Sequence, residues 1–201
     1  MSKHIEAFDA FTAPVFRLSY DNNKVEEACK EFIYRMEAED QEACFYPHGY
    51  TSFSKIANII VDRSDFVPLA EYCWGAVQTV HNQIGLTGTV NFVSSWLTIG
   101  RIHSYHERHH HNPHTWSGVY YAQAEAGDSD LVFYNPMMQS GWPHCDSAEF
   151  KPQNSLLTQC SVKTGDIIIF PSYLEHKVDQ QTIDRDRITL AFNLNVVPDH
   201  D

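Results

Sequence analysis

The spacing of apolar side chains along the chain changes from helical to strand-like near residue 87. From Val25 to Asp40, Ala28, Phe32 and Met36 recur at helical spacing. The segment from Ser64 to Gly85 repeats this pattern with Phe66, Leu69, Cys73, Val77, Val80 and Ile84. We therefore predict two amphipathic helices within residues 1–86.

Beyond Thr87 the apolar runs become short and rich in β-branched and aromatic residues, which is typical of strands. The runs cover residues 89–102, 116–124, 130–134, 156–162, 166–178 and 187–197. Turn-forming residues separate them, including the Asn-Pro pairs at 112 and 135. We predict about eight strands in residues 87–201, with the two helices laid against one sheet of a barrel or sandwich.

Composition and charge narrow the class of protein and its partners. The 201 residues are 43% hydrophobic and 20% charged, which predicts one globular domain over residues 1–201. The formal charge of -12 and the lack of Lys/Arg clusters argue against binding to nucleic acid or to an anionic membrane. A small molecule or another protein is the expected partner, and the sequence leaves the oligomeric state open.

Cysteine usage and the start of the chain indicate a compartment. The five cysteines are odd in number and show no C-x-x-C spacing, so they suggest neither a zinc knuckle nor a complete disulfide framework. The stretch MSKHIEAFDAF has no long apolar run after a basic segment, and no later stretch has the length of a membrane span. We therefore expect the protein to be located in the reducing cytoplasm.

Histidines concentrate between Tyr105 and His114, which hold five of the twelve in the chain. If this segment is a strand, alternation places His109 and His111 on one face and His106 and His110 on the other. An H-x-H pair on a strand offers two imidazoles to one metal ion, and a third ligand must then come from another strand. His176, on a later strand, is the candidate. We interpret the remaining histidines of the region as structural or surface residues: His103, His106, His110 and His114.

The last strand has one apolar and one polar face. Ile188, Leu190, Phe192 and Leu194 alternate with Arg187, Thr189, Ala191 and Asn193. Together with a metal-type histidine cluster, an inward arginine with a hydroxyl two residues on suits a dicarboxylate cosubstrate. Asn193 either lines the pocket or satisfies buried backbone.

The ordered set of motifs resembles a known family. H-x-H, SGVYY, G-D-IIIFPS-x-x-x-H and R-I-T-x-A-F-N are similar to the small iron(II)- and 2-oxoglutarate-dependent oxygenases of bacteria and phages, over about Trp96 to Val196. The resemblance implies a double-stranded β-helix, a jelly roll of the cupin-like type, in residues 87–201, supported by residues 1–86. It also implies that iron binds His109, His111 and His176. Arg187, with Thr189 and Tyr121 beside it, would hold the distal carboxylate of 2-oxoglutarate.

One position departs from the common pattern of the wider class, in which the second ligand is Asp or Glu. Here that position is His111, so the metal site consists of three histidines or takes a carboxylate from Glu107 or Asp130. We favour three histidines. The rival interpretations are a metal-binding cupin-like protein without turnover and a three-histidine dioxygenase that does not use 2-oxoglutarate.

The resemblance implies an enzyme that hydroxylates a small-molecule or protein substrate with dioxygen, releasing succinate and carbon dioxide. Trp96, Phe133 and Phe170 are interpreted as core residues. The long segment from Asn135 to Asn154 is expected to be a lid or substrate wall, with Met137, Met138 and Trp142 toward the substrate, or else a surface loop over the core.

Overall fold

Two antiparallel sheets face each other, and helices cover the outside of one of them. The computed structural model describes residues 13–40, 46–137 and 155–198. The strands are β1 (Phe16–Ser19), β2 (Gly49–Thr51), β3 (Thr89–Gly100), β4 (His106–His109), β5 (Trp116–Gln123), β6 (Leu131–Tyr134), β7 (Leu157–Cys160), β8 (Asp166–Pro171), β9 (His176–Val178) and β10 (Arg187–Val197). The helices are α1 (Asn23–Glu39), the short α2 (Ile59–Asp62) and α3 (Val67–Gln83), which follows a 3-10 turn at Ser64–Phe66.

The main sheet has the strand order β1-β8-β5-β10-β3-β2, and the minor sheet has the order β4-β9-β6-β7. The run from residue 166 to 178 therefore contributes β8 to one sheet and β9 to the other, because the chain crosses between the sheets after Pro171. This is the arrangement predicted for a double-stranded β-helix.

Both predicted helices are present close to their expected bounds. The side chain of Asn22 caps α1 by accepting from the backbone N–H groups of Lys24 and Val25. Pro68 lies in the first turn of α3, where its missing N–H group costs no intrahelical hydrogen bond. The apolar faces of α1 and α3 pack on the outer face of the main sheet and form the larger hydrophobic core with it.

The segment before residue 87 also supplies two strands that the sequence did not predict. β1 pairs with β8, and β2 pairs with β3, so the N-terminal segment forms both edges of the main sheet. Both strands are short, with four and three residues, and such lengths carry little periodic signal.

A smaller core lies between the two sheets. It combines the inner-facing Ile168 and Phe170 of the main sheet with Leu131 and Phe133 of the minor sheet. The burial predicted for Phe133 and Phe170 is confirmed. The histidine cluster described below lies beside this core, since Phe170 is 4.7 Å and Phe133 is 6.1 Å from His176 between ring centroids.

The strand that carries the histidines is shorter and less regular than the predicted Tyr105–Asn112. β4 pairs with β9 by His106 opposite Val178 and His109 opposite His176, so three steps along β4 match two steps along β9. This β-bulge places His106 and His109 on the same face. The predicted separation of His106 from His109 is therefore wrong, because simple alternation takes no account of an inserted residue.

Candidate metal and 2-oxoglutarate site

Three histidines converge at one end of the space between the sheets. His109 ends β4, His176 begins β9 directly opposite, and His111 follows two residues after β4. Each of the three offers one ring nitrogen, and these atoms all lie within 4.8 Å of one another. The backbone N–H of His111 donates to the carbonyl oxygen of Ser172 at 2.8 Å, which fixes this segment beside the end of β8.

Backbone carbonyls set the orientation of two of the rings. Nδ1 of His109 lies 2.6 Å from the carbonyl oxygen of Glu107, and Nδ1 of His176 lies 2.9 Å from that of Leu174. Because a carbonyl can only accept, Nδ1 carries the proton in both rings and Nε2 keeps its lone pair. Such carbonyl contacts are the usual outer partners of metal-binding histidines.

The electrostatics of the cluster favour neutral imidazoles. Burial, reinforced by the neighbouring His109, lowers the pKa of His176 to about 2 and that of His111 to about 3. Burial also lowers the pKa of half-buried His109. Three uncharged rings with convergent nitrogens form a donor set that suits a divalent transition metal.

No carboxylate of the described residues joins the three histidines. Glu107 has an exposed side chain and contributes its backbone carbonyl to His109 instead. Asp130 immediately precedes β6, and its backbone carbonyl accepts from the N–H of Asp179. The geometry thus favours the three-histidine alternative over either carboxylate.

A buried arginine lies in the same space between the sheets. Arg187 is only 5% exposed, and its guanidinium carbon lies 4.9 Å from the ring centroid of Tyr121. Nε of Arg187 and the hydroxyl of Tyr121 are buried, and neither has a hydrogen-bond partner. Unpaired buried donors are costly, so this pair is suited to receive an anionic acceptor.

Tyr121 is available as a hydrogen-bond donor in this setting. Burial raises the pKa of Tyr121 to about 12, although the nearby Arg187 opposes the shift. Its hydroxyl therefore stays protonated near neutral pH. Thr189 pairs with Tyr121 across β5 and β10, so the three side chains Arg187, Thr189 and Tyr121 face one region, as predicted.

The residues around Arg187 hold it at the start of β10. The preceding Asp186 accepts a hydrogen bond from the Tyr34 hydroxyl at 2.7 Å and pairs with Nε of Arg101 at 3.3 Å. Gln123 donates to the Asp186 carbonyl oxygen at 2.6 Å. The sequence offered no signal for this cluster, because its members come from α1, the residue after β3, β5 and the residue before β10.

Asn193 is part of a buried network of side-chain hydrogen bonds, a role that differs from the two predicted for it, which were to line the pocket or to satisfy buried backbone. Its side-chain oxygen accepts from the Ser117 hydroxyl at 2.7 Å, and its amide donates to the Ser94 hydroxyl at 3.0 Å. Ser117 also shares a 2.7 Å hydrogen bond with Ser172, whose carbonyl holds His111. Asn193 therefore links β3, β5 and the end of β8 beneath the histidines. The serines were missed because serine is common in strands and turns of every kind.

Two aromatic side chains lie against the histidine cluster. His106 is exposed, in agreement with its interpretation as a structural or surface residue, and its ring stacks on His109 with centroids 4.1 Å apart and a 32° tilt. Trp96 is buried as predicted, yet it belongs to neither hydrophobic core and lies 5.8 Å from His111 between ring centroids. Met137 is exposed, whereas Met138 and Trp142 of the predicted lid lie outside the described residues.

Comparison with known proteins identifies the family. A family profile described as "Putative 2OG-Fe(II) oxygenase" matches residues 94–193, a span that includes the three histidines, Tyr121, Arg187 and Thr189. The chain belongs to this family. The description names 2-oxoglutarate (2OG) and iron(II), the two cofactors predicted from the sequence. A comparison with curated proteins finds no match.

Solved structures of low sequence identity share the fold of this oxygenase. HygX from Streptomyces hygroscopicus, with nickel, 2-oxoglutarate and hygromycin B bound, is 12% identical at a TM-score of 0.63, over 92% of this chain and 84% of HygX. A Pseudomonas putida prolyl-4-hydroxylase is 13% identical at a TM-score of 0.62, over 92% and 94% of the two chains. The α-ketoglutarate-dependent epimerase SnoN, from nogalamycin biosynthesis, is 11% identical at a TM-score of 0.65, over 92% and 77%. The predicted double-stranded β-helix is confirmed.

Among the described residues, none of the helices has the length and apolar character needed to cross a membrane.

Proposed function

We propose that this oxygenase hydroxylates its substrate, and that it holds iron(II) through His109, His111 and His176. The observation that carries the proposal is the shared location of two features between the sheets. Three imidazoles with convergent nitrogens lie near one end, and a buried, unpaired arginine–tyrosine pair lies along the same inner face. The first feature suits a divalent metal and the second suits a carboxylate.

The three histidines supply the metal-binding nitrogens, and the protein fixes their directions. The carbonyls of Glu107 and Leu174 hold Nδ1 of His109 and His176, which leaves Nε2 of both rings to bind the metal in this proposal. His111 is positioned through its backbone contact to Ser172. Iron(II) supplies the redox chemistry, in which dioxygen, 2-oxoglutarate and a substrate C–H bond yield an alcohol, succinate and carbon dioxide.

Arg187 binds the distal carboxylate of 2-oxoglutarate in this proposal, with Tyr121 and Thr189 as hydroxyl partners. A planar guanidinium can donate two parallel hydrogen bonds to a carboxylate. Ala191 lies two residues beyond Thr189 on the same face of β10, so this face has a small side chain after Arg187 and Thr189. The buried setting also excludes water from the charged contact.

Hydroxylation is the reaction that we propose, because the fold alone does not determine it: proteins with this fold include both a hydroxylase and an epimerase. The three-histidine set, without a carboxylate among the described residues, also suits a dioxygenase that does not use 2-oxoglutarate. In that case Arg187 would bind a carboxylate of the substrate. A metal-binding protein without turnover is the third alternative, and the unpaired Arg187 argues against it.

The decisive experiment is an anaerobic titration of the iron(II)-loaded protein with 2-oxoglutarate. Chelation by the keto acid produces a weak visible charge-transfer band. Arg187→Ala should keep iron but weaken 2-oxoglutarate binding by about 2–5 kcal/mol, the range for removing one partner of a buried charged contact. Arg187→Lys should restore only part of the affinity, because an ammonium cannot reproduce the two-pronged contact.

Arg108→Ala is the matched control. Arg108 lies next to His109 but pairs with Glu175 and covers the Tyr134 ring, away from the space between the sheets. The Arg108→Ala variant should bind 2-oxoglutarate with the affinity of the wild type in this titration. Absence of the band in the wild type would contradict the use of 2-oxoglutarate, and an unchanged titration in Arg187→Ala would contradict the role of Arg187. Succinate formation under air then separates turnover from binding alone.

A further inference from the structure

Trp96 faces the space between the sheets. It lies directly opposite Ala191 in the pairing of β3 with β10, and directly opposed side chains share one face of a sheet. Ala191 is on the face of Arg187, so Trp96 is on the inner face as well. The 5.8 Å separation between its ring and that of His111 places the indole beside the histidine cluster.

An aromatic surface continues from Trp96 toward solvent. Phe53, which follows β2, packs edge-on against Trp96 with ring centroids 5.0 Å apart. Exposure rises along this line, from 8% for Trp96 to 47% for Phe53. The two rings thus form a wall, the Trp96–Phe53 wall, that leads from the protein surface to the proposed metal ligand His111.

The indole N–H of Trp96 differs from those of the other described tryptophans. Trp116 donates to Nδ1 of His81 at 3.2 Å, and Trp74 donates to the carbonyl oxygen of Val90 at 2.7 Å. Within the described residues the Trp96 N–H has no hydrogen-bond partner, and its nitrogen is not among the fully buried polar atoms that lack one, so this N–H is open to the surrounding space. A bound molecule with an acceptor oxygen could supply a partner.

The polarity of the surroundings indicates the kind of molecule. The nearest pair of opposed residues toward Arg187 is Thr51 and Thr98, whose hydroxyls are 3.1 Å apart. None of the recorded contacts of Trp96 in the described chain is with a charged group. Two ring faces, neutral hydroxyls and one indole donor favour an uncharged, partly apolar ligand.

We infer that the Trp96–Phe53 wall binds the substrate, and that the substrate presents an uncharged aromatic or saturated ring bearing an oxygen acceptor. The ring lies against the indole, and the oxygen accepts from its N–H. This places a C–H bond of the ring, or of its substituent, next to the histidine cluster. The inference rests on the proposed function for the identity of the metal site, and it names the substrate class of that site.

The test uses benzyl alcohol as the probe and paramagnetic manganese(II) as a stand-in for iron(II). The full-length protein is loaded with manganese(II) and 2-oxoglutarate, and the relaxation of the probe's ring protons is measured by NMR. Protons that bind beside the metal relax faster. Trp96→Ala and Phe53→Ala should each reduce this enhancement, with Trp96→Ala weakening probe binding about tenfold through loss of the aromatic contact.

Trp74→Ala is the control, because Trp74 is an exposed tryptophan on α3 whose indole already donates to Val90. It should leave the enhancement unchanged, and benzylammonium should bind less well than benzyl alcohol. Equal enhancement in the wild type and both wall variants, or none in the wild type, would overturn the inference. The exposed position of Phe53 keeps the test valid if Trp96→Ala folds poorly.

The charge-transfer titration separates this result from the proposed function. If the wild type forms the iron(II)–2-oxoglutarate band and the wall variants do not change probe relaxation, only the substrate assignment fails. If the band is absent but manganese(II) still relaxes the probe in a Trp96-dependent way, the wall is a ligand site and the use of 2-oxoglutarate fails.

Discussion

The two faces of the main sheet serve different purposes, although the same strands form both. On the outer face Ile188, Leu190, Phe192 and Leu194 of β10 pack among the apolar side chains of α1 and α3. On the inner face, Arg187, Thr189 and Asn193 of the same strand are buried among polar and aromatic groups. Alternation along one strand thus places a closed core and a candidate ligand site a few ångströms apart.

The difference lies in how the buried groups are satisfied. The outer face is filled by complementary apolar shapes; for example, a Cβ atom added to Gly118 would lie 2.2 Å from Cζ of Phe192. Among the described residues, the outer face also contains one buried hydroxyl without a partner, at Tyr120, whereas the inner face places two such donors, at Arg187 and Tyr121, beside each other. Tight packing contributes free energy of folding, whereas unpaired donors cost folding free energy and favour ligand binding. Substitutions on the two faces should therefore separate stability from binding.

The largest expected effect is the loss of the metal from the inner face. His111→Ala and His176→Ala should each abolish stoichiometric iron(II) binding, because the two remaining imidazoles do not form a complete set of metal ligands. Iron content after anaerobic loading and desalting measures this, and circular dichroism should show a folded protein. His110→Ala, a neighbouring histidine outside the cluster, should retain the iron. Full iron occupancy in His111→Ala would contradict the three-histidine site and direct attention to Glu107 or Asp130.

A substitution on the outer face should lower stability without loss of iron binding. Phe192→Ala should lower the free energy of unfolding by about 3–5 kcal/mol, since it removes a buried ring that packs on Gly118 and Phe92. Urea denaturation of the metal-free protein measures the loss. The iron stoichiometry of the folded fraction should remain that of the wild type. Loss of iron at full stability would show that the two faces are not separable.

The smallest effect is expected at His106, an exposed residue whose ring stacks on His109 but which is not a member of the cluster. His106→Ala should weaken iron(II) binding by about 0.5–1.5 kcal/mol, because the stacked ring no longer restrains His109. His106→Phe should recover most of the affinity, since a phenyl ring preserves the stack. A competition titration with a chelator measures both. Failure of Phe to rescue a weakened Ala variant would indicate a contact through the imidazole nitrogens instead.

Much of the site could be predicted because its signals are local. The histidine pair at 109 and 111 and the alternation from Arg187 onward can both be read within a few residues of sequence. His176 and Arg187 lie eleven residues apart in the order that the family resemblance requires. That resemblance indicated their roles as third metal ligand and carboxylate-binding residue. The structure brings all three histidines together and places Tyr121 beside Arg187.

The orientation of other residues could not be predicted. A single bulge in β4 turns His106 to the face of His109, because one inserted residue reverses the alternation on either side of it. Trp96 has the large aromatic side chain that is typical of a core residue. Only its pairing with Ala191 shows that it faces the histidines. Asn193 acquires its role from serines on three separate segments.

The sequence by itself determined the periodicity of each segment, the types of metal-binding side chain and the paired polar and apolar faces of β10. These properties depend on side chains a few residues apart, which share one strand or helix face whatever the rest of the chain does. Only the tertiary structure decided the strand register, the edge positions of β1 and β2, and the Trp96–Phe53 wall. These depend on contacts between segments distant in sequence, for which hydrophobic periodicity contains no information.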